Sequence, residues 1–312
     1  MMPTPLSDSS RAAVDALHAG AVALARPELQ HMEFLGPKAG DVLTGLVSND
    51  VLALAPGEAQ YAAALTPKGK MLADLRIARV DAERFITTTR LPAGTAWSDL
   101  VRKYVNPRLA KYAVLPFATV SVLGPAAAEV LDTFPLADGE LRLPTDTYDG
   151  LPGFDLLVAP ERVEALLDAL TADARVTVGT AEALHVVRIA AGRPLCGVDM
   201  DDTTIPQEAN LGDLGALSFT KGCYTGQETV ARLHFRGHVN KSLRRLGAAS
   251  PLPRGAELRL EDGKVVGDVR STAISPTDGP IGLGMVRREV VAGTRVLAHA
   301  EGADPIEVVV LS

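Results

Sequence analysis

The sequence has 312 residues, which exceeds the usual size of one hydrophobic core and predicts two or three domains. Its net charge of -7, from 31 Lys and Arg against 38 Asp and Glu, argues against general binding to nucleic acid or to an anionic membrane, since both need clustered positive charge. Charged residues or prolines interrupt the apolar runs before the roughly 18 residues that a bilayer span requires.

The amino-terminal segment predicts neither an export signal nor a transit peptide. It lacks a basic stretch followed by an apolar core, and it carries the acidic residues Asp8 and Asp15. We therefore expect a cytoplasmic protein. Its two cysteines, Cys196 and Cys223, are expected to be reduced rather than joined in a disulfide.

The first part of the chain alternates between helical and strand-like apolar spacing. We predict a helix over 8–25, strands over 31–35 and 61–65 around a helix over 39–46, a hairpin of strands 71–80 and 84–89, and a helix over 95–105. We assign these elements to a first α+β module, residues 1–117.

A second set of similar elements follows. We predict strands over 118–124 and 154–159, helices over 126–134, 161–172 and 179–194, and a turn-rich connection over 136–153. This second α+β module is assigned to residues 118–242, with allowance for the chain crossing back to the first module. Residues 243–312 show short apolar strands separated by regular turn signals, which predicts an all-β barrel or sandwich.

Cys223 lies in the stretch TKGCYTGQETVAR, residues 220–232, among polar residues and glycines. The preceding residues 217–219 predict a strand, and residues 227–233 favour a helix. Backbone N–H groups before a helix, together with Lys221, favour a thiolate. We therefore expect Cys223 to be accessible and to have a pKa below the value of about 8.5 of free cysteine. The alternative is a small residue that fits a tight turn.

A locally basic stretch follows this thiol in an otherwise acidic chain. It suits an anionic ligand tail, or else it is a solvated surface without a partner. Its members are Arg232, His234, Arg236, His238, Lys241, Arg244 and Arg245. The pair of His234 and His238 lacks the companion motifs of a zinc site, so the sequence predicts no metal ligands.

Asp74 is a polar interruption of the apolar strand predicted over 71–80. On an alternating strand it either points outward on the polar face or holds a ligand inside a cleft. The strand pattern leaves both orientations open.

The stretch KGCYTGQE, residues 221–228, resembles the signature of the YgfZ family, folate-binding relatives of the glycine-cleavage T-protein that assist iron–sulfur protein maturation. Further segments resemble the family in the same order, namely LTPKGKMLADLRI (65–77), IAAGRP (189–194), IPQEANL (205–211) and VARLHFRGHVNKSL (230–243). The resemblance implies an α+β, T-protein-like ring of two intertwined α+β modules and a C-terminal β-barrel around a folate-sized hole.

The resemblance also implies the ligand, the partners and the site residues. Tetrahydrofolate or a derivative is the expected cofactor, iron–sulfur client or assembly proteins are the expected partners, and Cys223 is the functional thiol. Asp74 matches an aspartate of the T-protein strand and is expected to contact the folate. The other expected cofactor-binding residues, each equally open to a purely structural role, are Lys221, Tyr224, Gln227, Glu228 and Arg232.

Two differences from the T-protein bear on activity. The T-protein signature has no cysteine, and the acidic residue with which the T-protein grips the pterin is replaced here by Ala190. Loss of that acceptor weakens pterin binding or alters its pose. The leading hypothesis is therefore an accessory factor for [4Fe–4S] proteins rather than a conventional enzyme. A folate-dependent aminomethyl or one-carbon transferase, and a binding protein without thiol chemistry, are the alternatives.

Overall fold

The computed structural model describes residues 2–145 and 151–311, and these residues form seven α-helices and sixteen strands. The helices are α1 (Asp8–Ala19), α2 (Ala39–Leu46), α3 (Ala93–Tyr104), α4 (Ala127–Asp132), α5 (Val163–Thr171), α6 (Ala181–Ala190) and α7 (Gln227–Arg236). Among the described residues, no helix has the length and apolar character needed to cross a bilayer. Residues 146–150 of the predicted connection lie outside the described residues.

The strands belong to two five-stranded sheets and one closed barrel. They are β1 (Ala21–Ala25), β2 (Leu29–Leu35), β3 (Ala59–Leu65), β4 (Met71–Arg79), β5 (Arg84–Arg90), β6 (Lys111–Val114), β7 (Ala118–Leu123), β8 (Leu141–Pro144), β9 (Gly153–Val158), β10 (Val176–Val178), β11 (Lys241–Ala248), β12 (Glu257–Arg259), β13 (Val265–Ser275), β14 (Gly279–Arg287), β15 (Arg295–His299) and β16 (Ile306–Val310).

The first sheet is antiparallel, with the strand order β3-β4-β5-β2-β6. Helices α2 and α3 cover one of its faces, where Phe34, Leu75 and Trp97 belong to one buried cluster. The Trp97 indole N–H donates to Thr87 Oγ1 at 2.9 Å, so the aromatic residue is buried with its polar group satisfied. The helix predicted over 39–46 and the hairpin of β4 and β5 are confirmed.

The second sheet has the order β10-β1-β7-β9-β8, and β1 is parallel to β10 but antiparallel to β7. The helix predicted over 8–25 is wrong in its last third, because α1 ends at Ala19 and Ala21–Ala25 forms β1. This run is apolar at every position, and periodicity cannot distinguish such a buried strand from a buried helix.

The carboxy-terminal strands close a barrel in the order β11-β14-β13-β12-β15-β16. Its interior is aliphatic and includes Leu246, Leu258, Val269 and Val296. Of the two architectures that the turn signals allowed, the structure has the barrel. The predicted α+β fold of two intertwined modules and a C-terminal barrel is confirmed.

Two segments cross between the modules. The opening segment supplies β1 to the second sheet, whereas segment 195–236 returns to the first sheet. Its Met200, Leu211 and Val230 pack against side chains of β3 and β4. The boundaries 1–117, 118–242 and 243–312 stay predictions.

The predicted strand at 217–219 is wrong, since these residues form a loop. This loop contacts the first module through a backbone hydrogen bond from Ser218 N–H to Ser48 O at 2.9 Å.

A buried polar layer joins the two sheets. Arg76 on β4 donates to Asp155 on β9 at 2.5 Å, and each side chain is 1% exposed. Ser121 on β7 also donates to the Asp155 carboxylate. The His31 ring on β2 lies between Thr88 Oγ1 at 3.0 Å and Thr119 Oγ1 at 2.6 Å. The sheets are therefore registered against each other by specific partners as well as by apolar contact.

Candidate functional site

A cavity of about 570 Å³ lies where the two modules meet. The first module contributes residues 90–92, the second contributes residues 24–28 and the inner face of α6, and segment 195–198 completes the wall. This volume falls within the range of about 300 to 1,000 Å³ that is usual for small-molecule and cofactor sites.

Three arginines line this cavity, namely Arg26, Arg90 and Arg188. The Glu28 carboxylate accepts from Arg26 Nε at 2.6 Å and from Arg90 Nη1 at 3.3 Å, so one carboxylate serves two guanidinium groups. Arg188 is paired with Asp199 behind the lining, so the excess of positive charge comes from Arg26 and Arg90 against the single carboxylate of Glu28. The cavity therefore favours an anionic ligand.

Arg188 is held from three sides. It donates to Asp199 Oδ2 at 2.8 Å, to Ser271 Oγ of the barrel at 2.7 Å, and it lies 3.2 Å from His185 Nδ1. Burial and the positive charge of Arg188 lower the pKa of His185, which favours the neutral ring. The neutral ring would accept from Arg188 at Nδ1 and donate from Nε2 to Thr272 O, 3.2 Å away. The barrel thus fixes two cavity side chains without lining the cavity.

Asp74 lies behind the cavity wall. It is 1% exposed and accepts from the Tyr61 hydroxyl at 2.9 Å, so the outward orientation considered for this residue is wrong. The half-buried thiol of Cys196 lines the cavity and lies against Asp74. Burial, with the negative charge of Asp74, raises the pKa of Cys196 to about 12 and keeps this thiol protonated.

Cys223 is an exposed free thiol on the loop that precedes α7. The loop is attached to the carboxyl end of α2 by Lys221, whose ammonium group donates to Val47 O at 2.6 Å and to Thr44 O. Burial lowers the pKa of Lys221 to about 8. Its Nζ also lies 4.4 Å from the centroid of the Tyr224 ring. Lys221 thus positions the Cys223 loop on the first module.

The remaining predicted residues lie along the start of α7. Gln227 Oε1 accepts from the Tyr224 backbone N–H at 3.1 Å, and burial raises the pKa of the Tyr224 hydroxyl to about 12. Glu228 and Arg232 are exposed.

The predicted site residues and the cavity occupy different places. The described residues that line the cavity include none of the seven, which are Asp74, Lys221, Cys223, Tyr224, Gln227, Glu228 and Arg232. The sequence pattern did not point to the polar residues that do line the cavity. They are Arg26, Glu28, Arg90, His185, Arg188 and Cys196. The available signal was the segment 188–192. Ala190 was weighed there as the position of a pterin contact, but Arg188 was not.

The Cys223 loop interlocks with the turn between β3 and β4 through two glycines. A Cβ atom on Gly226, which has φ +82°, would lie 2.5 Å from Thr66 O, and one on Gly69, which has φ +74°, would lie 2.7 Å from Thr229 Cβ. Thr229 Oγ1 in addition donates to Lys68 O at 3.1 Å. Because β4 begins directly after this turn, the Cys223 loop is attached to the strand that carries Asp74.

We expect Gly226→Ala to lower the free energy of unfolding by about 2 kcal/mol, from the left-handed backbone and the clash with a backbone oxygen. Gly222→Ala is the matched control, because a Cβ there would meet nothing within 4 Å. Urea unfolding of both variants measures the difference. Equal stability of the two variants would contradict the interlocked geometry.

Comparison with known proteins defines the class first. Residues 4–143 match the GCVT N-terminal domain, and residues 242–312 match the glycine cleavage T-protein C-terminal barrel domain. The fold is also that of the glycine cleavage system aminomethyltransferase T from Bartonella henselae, with a TM-score of 0.85 and 25% sequence identity over all of this chain and 90% of that one. The protein is thus of the T-protein-like class.

Sequence relatives narrow this class. The chain is 32% identical over 250 residues to the tRNA-modifying protein YgfZ of Klebsiella pneumoniae, which covers 73% of this chain and 72% of that protein. It is also 30% identical over 271 residues to an aminomethyltransferase of Nostoc sp., over 78% of this chain and 71% of that protein. The chain belongs to the YgfZ family, as its signature predicts.

Proposed function

We propose that the protein binds tetrahydrofolate or a derivative in the cavity and supports the assembly or repair of [4Fe–4S] proteins, with Cys223 as its functional thiol. The observation that carries the folate assignment is the arginine-lined cavity of about 570 Å³ between two T-protein-like modules. A folate combines a ring system, which has apolar faces and polar edges, with a carboxylate tail, and the apolar faces and the tail both find counterparts in this cavity.

The cavity residues divide the recognition between them. Arg90, whose side chain is 16% exposed, offers its guanidinium group to a carboxylate of the tail, and Arg26 and Arg188 add positive charge from buried positions. Leu184 and Leu91 offer apolar contact to the rings.

Cys223 acts outside this cavity in the proposal. A thiolate is a soft ligand that suits iron, and it also suits persulfide or disulfide exchange with a partner. One cysteine cannot supply the four thiolates of a [4Fe–4S] cluster, so the thiol serves transfer or repair rather than stable cluster binding. An exposed thiol on a rigidly attached loop is compatible with contact with another protein.

We expect wild-type protein to bind tetrahydrofolate with one-to-one stoichiometry in calorimetric titration. Arg90→Gln should weaken binding about tenfold, because it removes one charge-assisted hydrogen bond. Arg102→Gln, a change of an exposed arginine on α3, is the matched control and should leave the affinity unchanged. Cys223→Ala should also bind normally, since its side chain is outside the cavity. Absence of folate binding to the wild-type protein would refute the assignment.

The thiol is tested separately in cells that lack this protein and depend on iron–sulfur enzymes. Cys223→Ala should fail to restore the activity of those enzymes, whereas Cys196→Ala, a change of the half-buried cavity thiol, should restore it. Full complementation by Cys223→Ala would favour a binding protein without thiol chemistry.

Aminomethyl transfer is the second candidate, favoured by the buried Asp74 beside the cavity. Production of methylenetetrahydrofolate from a one-carbon donor by the purified protein would establish it in place of the accessory role.

A further inference from the structure

Helix α7 presents an exposed face that combines cations with a large apolar side chain. Glu228, Arg232, Phe235 and Arg236 are spaced so that they lie on one face of the helix. All four are exposed, and Phe235 is 67% exposed, the highest value among the large hydrophobic residues described. We call Arg232, Phe235 and Arg236 the α7 strip.

Phe235 is exposed but fixed in position by its neighbours. The rings of Phe219 and His234 stack at a centroid distance of 3.6 Å. The Phe235 ring meets both of them edge-on, at 6.4 Å and 4.8 Å. An ordered aromatic side chain that projects from a surface loses little conformational entropy on binding, which is why such residues anchor protein interfaces.

The contacts of the preceding loop place Cys223 near the amino-terminal end of α7, whereas the α7 strip lies in its second half. Phe219 lies against the last turn of α7, whereas Tyr224 hydrogen-bonds to Gln227 at the first turn. The connecting loop therefore runs back along the helix and places Cys223 beside its start. A helix of 10 residues is about 15 Å long. An extended peptide of about five residues spans that length.

The charge of this surface differs from that of the whole protein. Residues 219–238 carry Arg232 and Arg236 at exposed positions against one acidic residue, Glu228, with Lys221 half-buried against α2, in a chain of net charge -7. The basic patch is too small and the protein too acidic for the extended phosphate contacts of nucleic-acid binding. Charge complementarity instead favours a short acidic segment of a protein.

We propose that the α7 strip docks an extended acidic segment of a partner protein and thereby brings a sulfur atom of that partner to Cys223. The proposal rests on the proposed function in that Cys223 is taken as the functional thiol. Phe235 is the apolar anchor, and Arg232 and Arg236 pair with carboxylates on either side of it. The docked segment then passes Glu228 with uncharged residues and brings its sulfur atom to the amino-terminal end of α7, where Cys223 is exposed.

The test uses synthetic peptides of equal length that differ only in charge. Each carries one leucine and a terminal cysteine activated as a mixed disulfide with 2-nitro-5-thiobenzoate, and the other residues are acidic, uncharged or basic. The Cys223 thiolate attacks the cysteine sulfur of the peptide, a protein–peptide disulfide forms, and nitrothiobenzoate leaves with the electron pair of the broken bond. Its absorbance gives the second-order rate constant.

We expect the acidic peptide to react about tenfold faster than the uncharged one at low salt. The ratio of the two rate constants should fall as salt is added. Replacing both arginines, Arg232→Glu with Arg236→Glu, should make the basic peptide the fastest. Phe235→Ser should slow the acidic peptide specifically. Arg102→Glu and Val291→Ser alter equally exposed residues elsewhere and should change nothing.

Two controls separate docking from intrinsic reactivity. Reaction with the neutral reagent 4,4′-dithiodipyridine corrects each variant for altered thiol chemistry, and Cys223→Ser gives the blank. Equal rates for the three peptides would overturn the proposal. Equal inhibition of all three reactions by a single-stranded oligonucleotide would also overturn it, because the surface would then bind nucleic acid. The assay contains neither folate nor an iron–sulfur protein, so its failure is distinct from failure of the proposed function.

Discussion

Replacement of Asp155 by alanine should lower the free energy of unfolding by about 3 to 5 kcal/mol, the usual cost of breaking a buried ion pair by removing one partner. The variant leaves the guanidinium of Arg76 buried between the two sheets without its carboxylate, and it also removes the acceptor of the Ser121 hydroxyl. Chemical denaturation monitored by circular dichroism measures the loss.

Two further variants show whether the cost comes from the buried charge. The exposed pair of Asp99 and Arg102 provides the matched control, and Asp99→Ala should leave the denaturation midpoint unchanged. The double variant Arg76→Met with Asp155→Leu should recover much of the lost stability, because no charge is then left unpaired. A double variant as unstable as Asp155→Ala would mean that packing, rather than charge, dominates at this position.

Acidification should destabilise the protein through His31 by up to about 3 kcal/mol between pH 6.5 and pH 4. Burial lowers the pKa of this imidazole to about 4, with a further lowering from Arg76 that the Asp155 carboxylate opposes. The unfolded chain therefore binds a proton at higher pH than the folded protein does. The stabilisation from the neutral ring is fully present above pH 6.5 and is lost as the pH falls toward 4.

His31→Gln isolates this contribution, since glutamine can still bond to Thr88 and Thr119 but does not titrate. The difference in unfolding free energy between wild type and variant should vary with pH over this window and be constant above it. His185, whose pKa is also lowered by burial, is present in both proteins and cancels in the difference. His238→Gln, at an exposed position, should reproduce the wild-type profile. A pH-independent difference would contradict the buried neutral state of His31.

The sequence predicts elements where local pattern and tertiary environment agree. Helix α2 has one apolar face and begins and ends as predicted, and the regular turn signals after residue 243 predict the strands of the barrel. The prediction fails where both sides of an element are buried. β1 is apolar throughout and reads as the continuation of a helix. β4 is covered on both faces, so alternation could not show which way Asp74 points.

The cavity is harder to predict than the elements around it. Its arginines come from three separate segments, and each arginine alone resembles an ordinary surface residue. Topology brings them together, because β1 precedes the first module in the chain but belongs to the second sheet. The signature KGCYTGQE does locate the Cys223 loop, since Lys221 and Gly226, which attach the loop to the first module, lie beside Cys223 in sequence. A site assembled from distant segments has no contiguous sequence motif by which it could be predicted.

The support that the barrel gives to the cavity wall has a thermodynamic consequence. Ser271 and Thr272 hold Arg188 and His185 from outside, while the two modules supply the lining, so no single unit contains a complete site. A bound ligand therefore adds its binding free energy to the association of all three units, in proportion to the logarithm of its concentration above its dissociation constant. The ligand would then stabilise all three units together. The stability of their association would rise and fall with the concentration of the ligand.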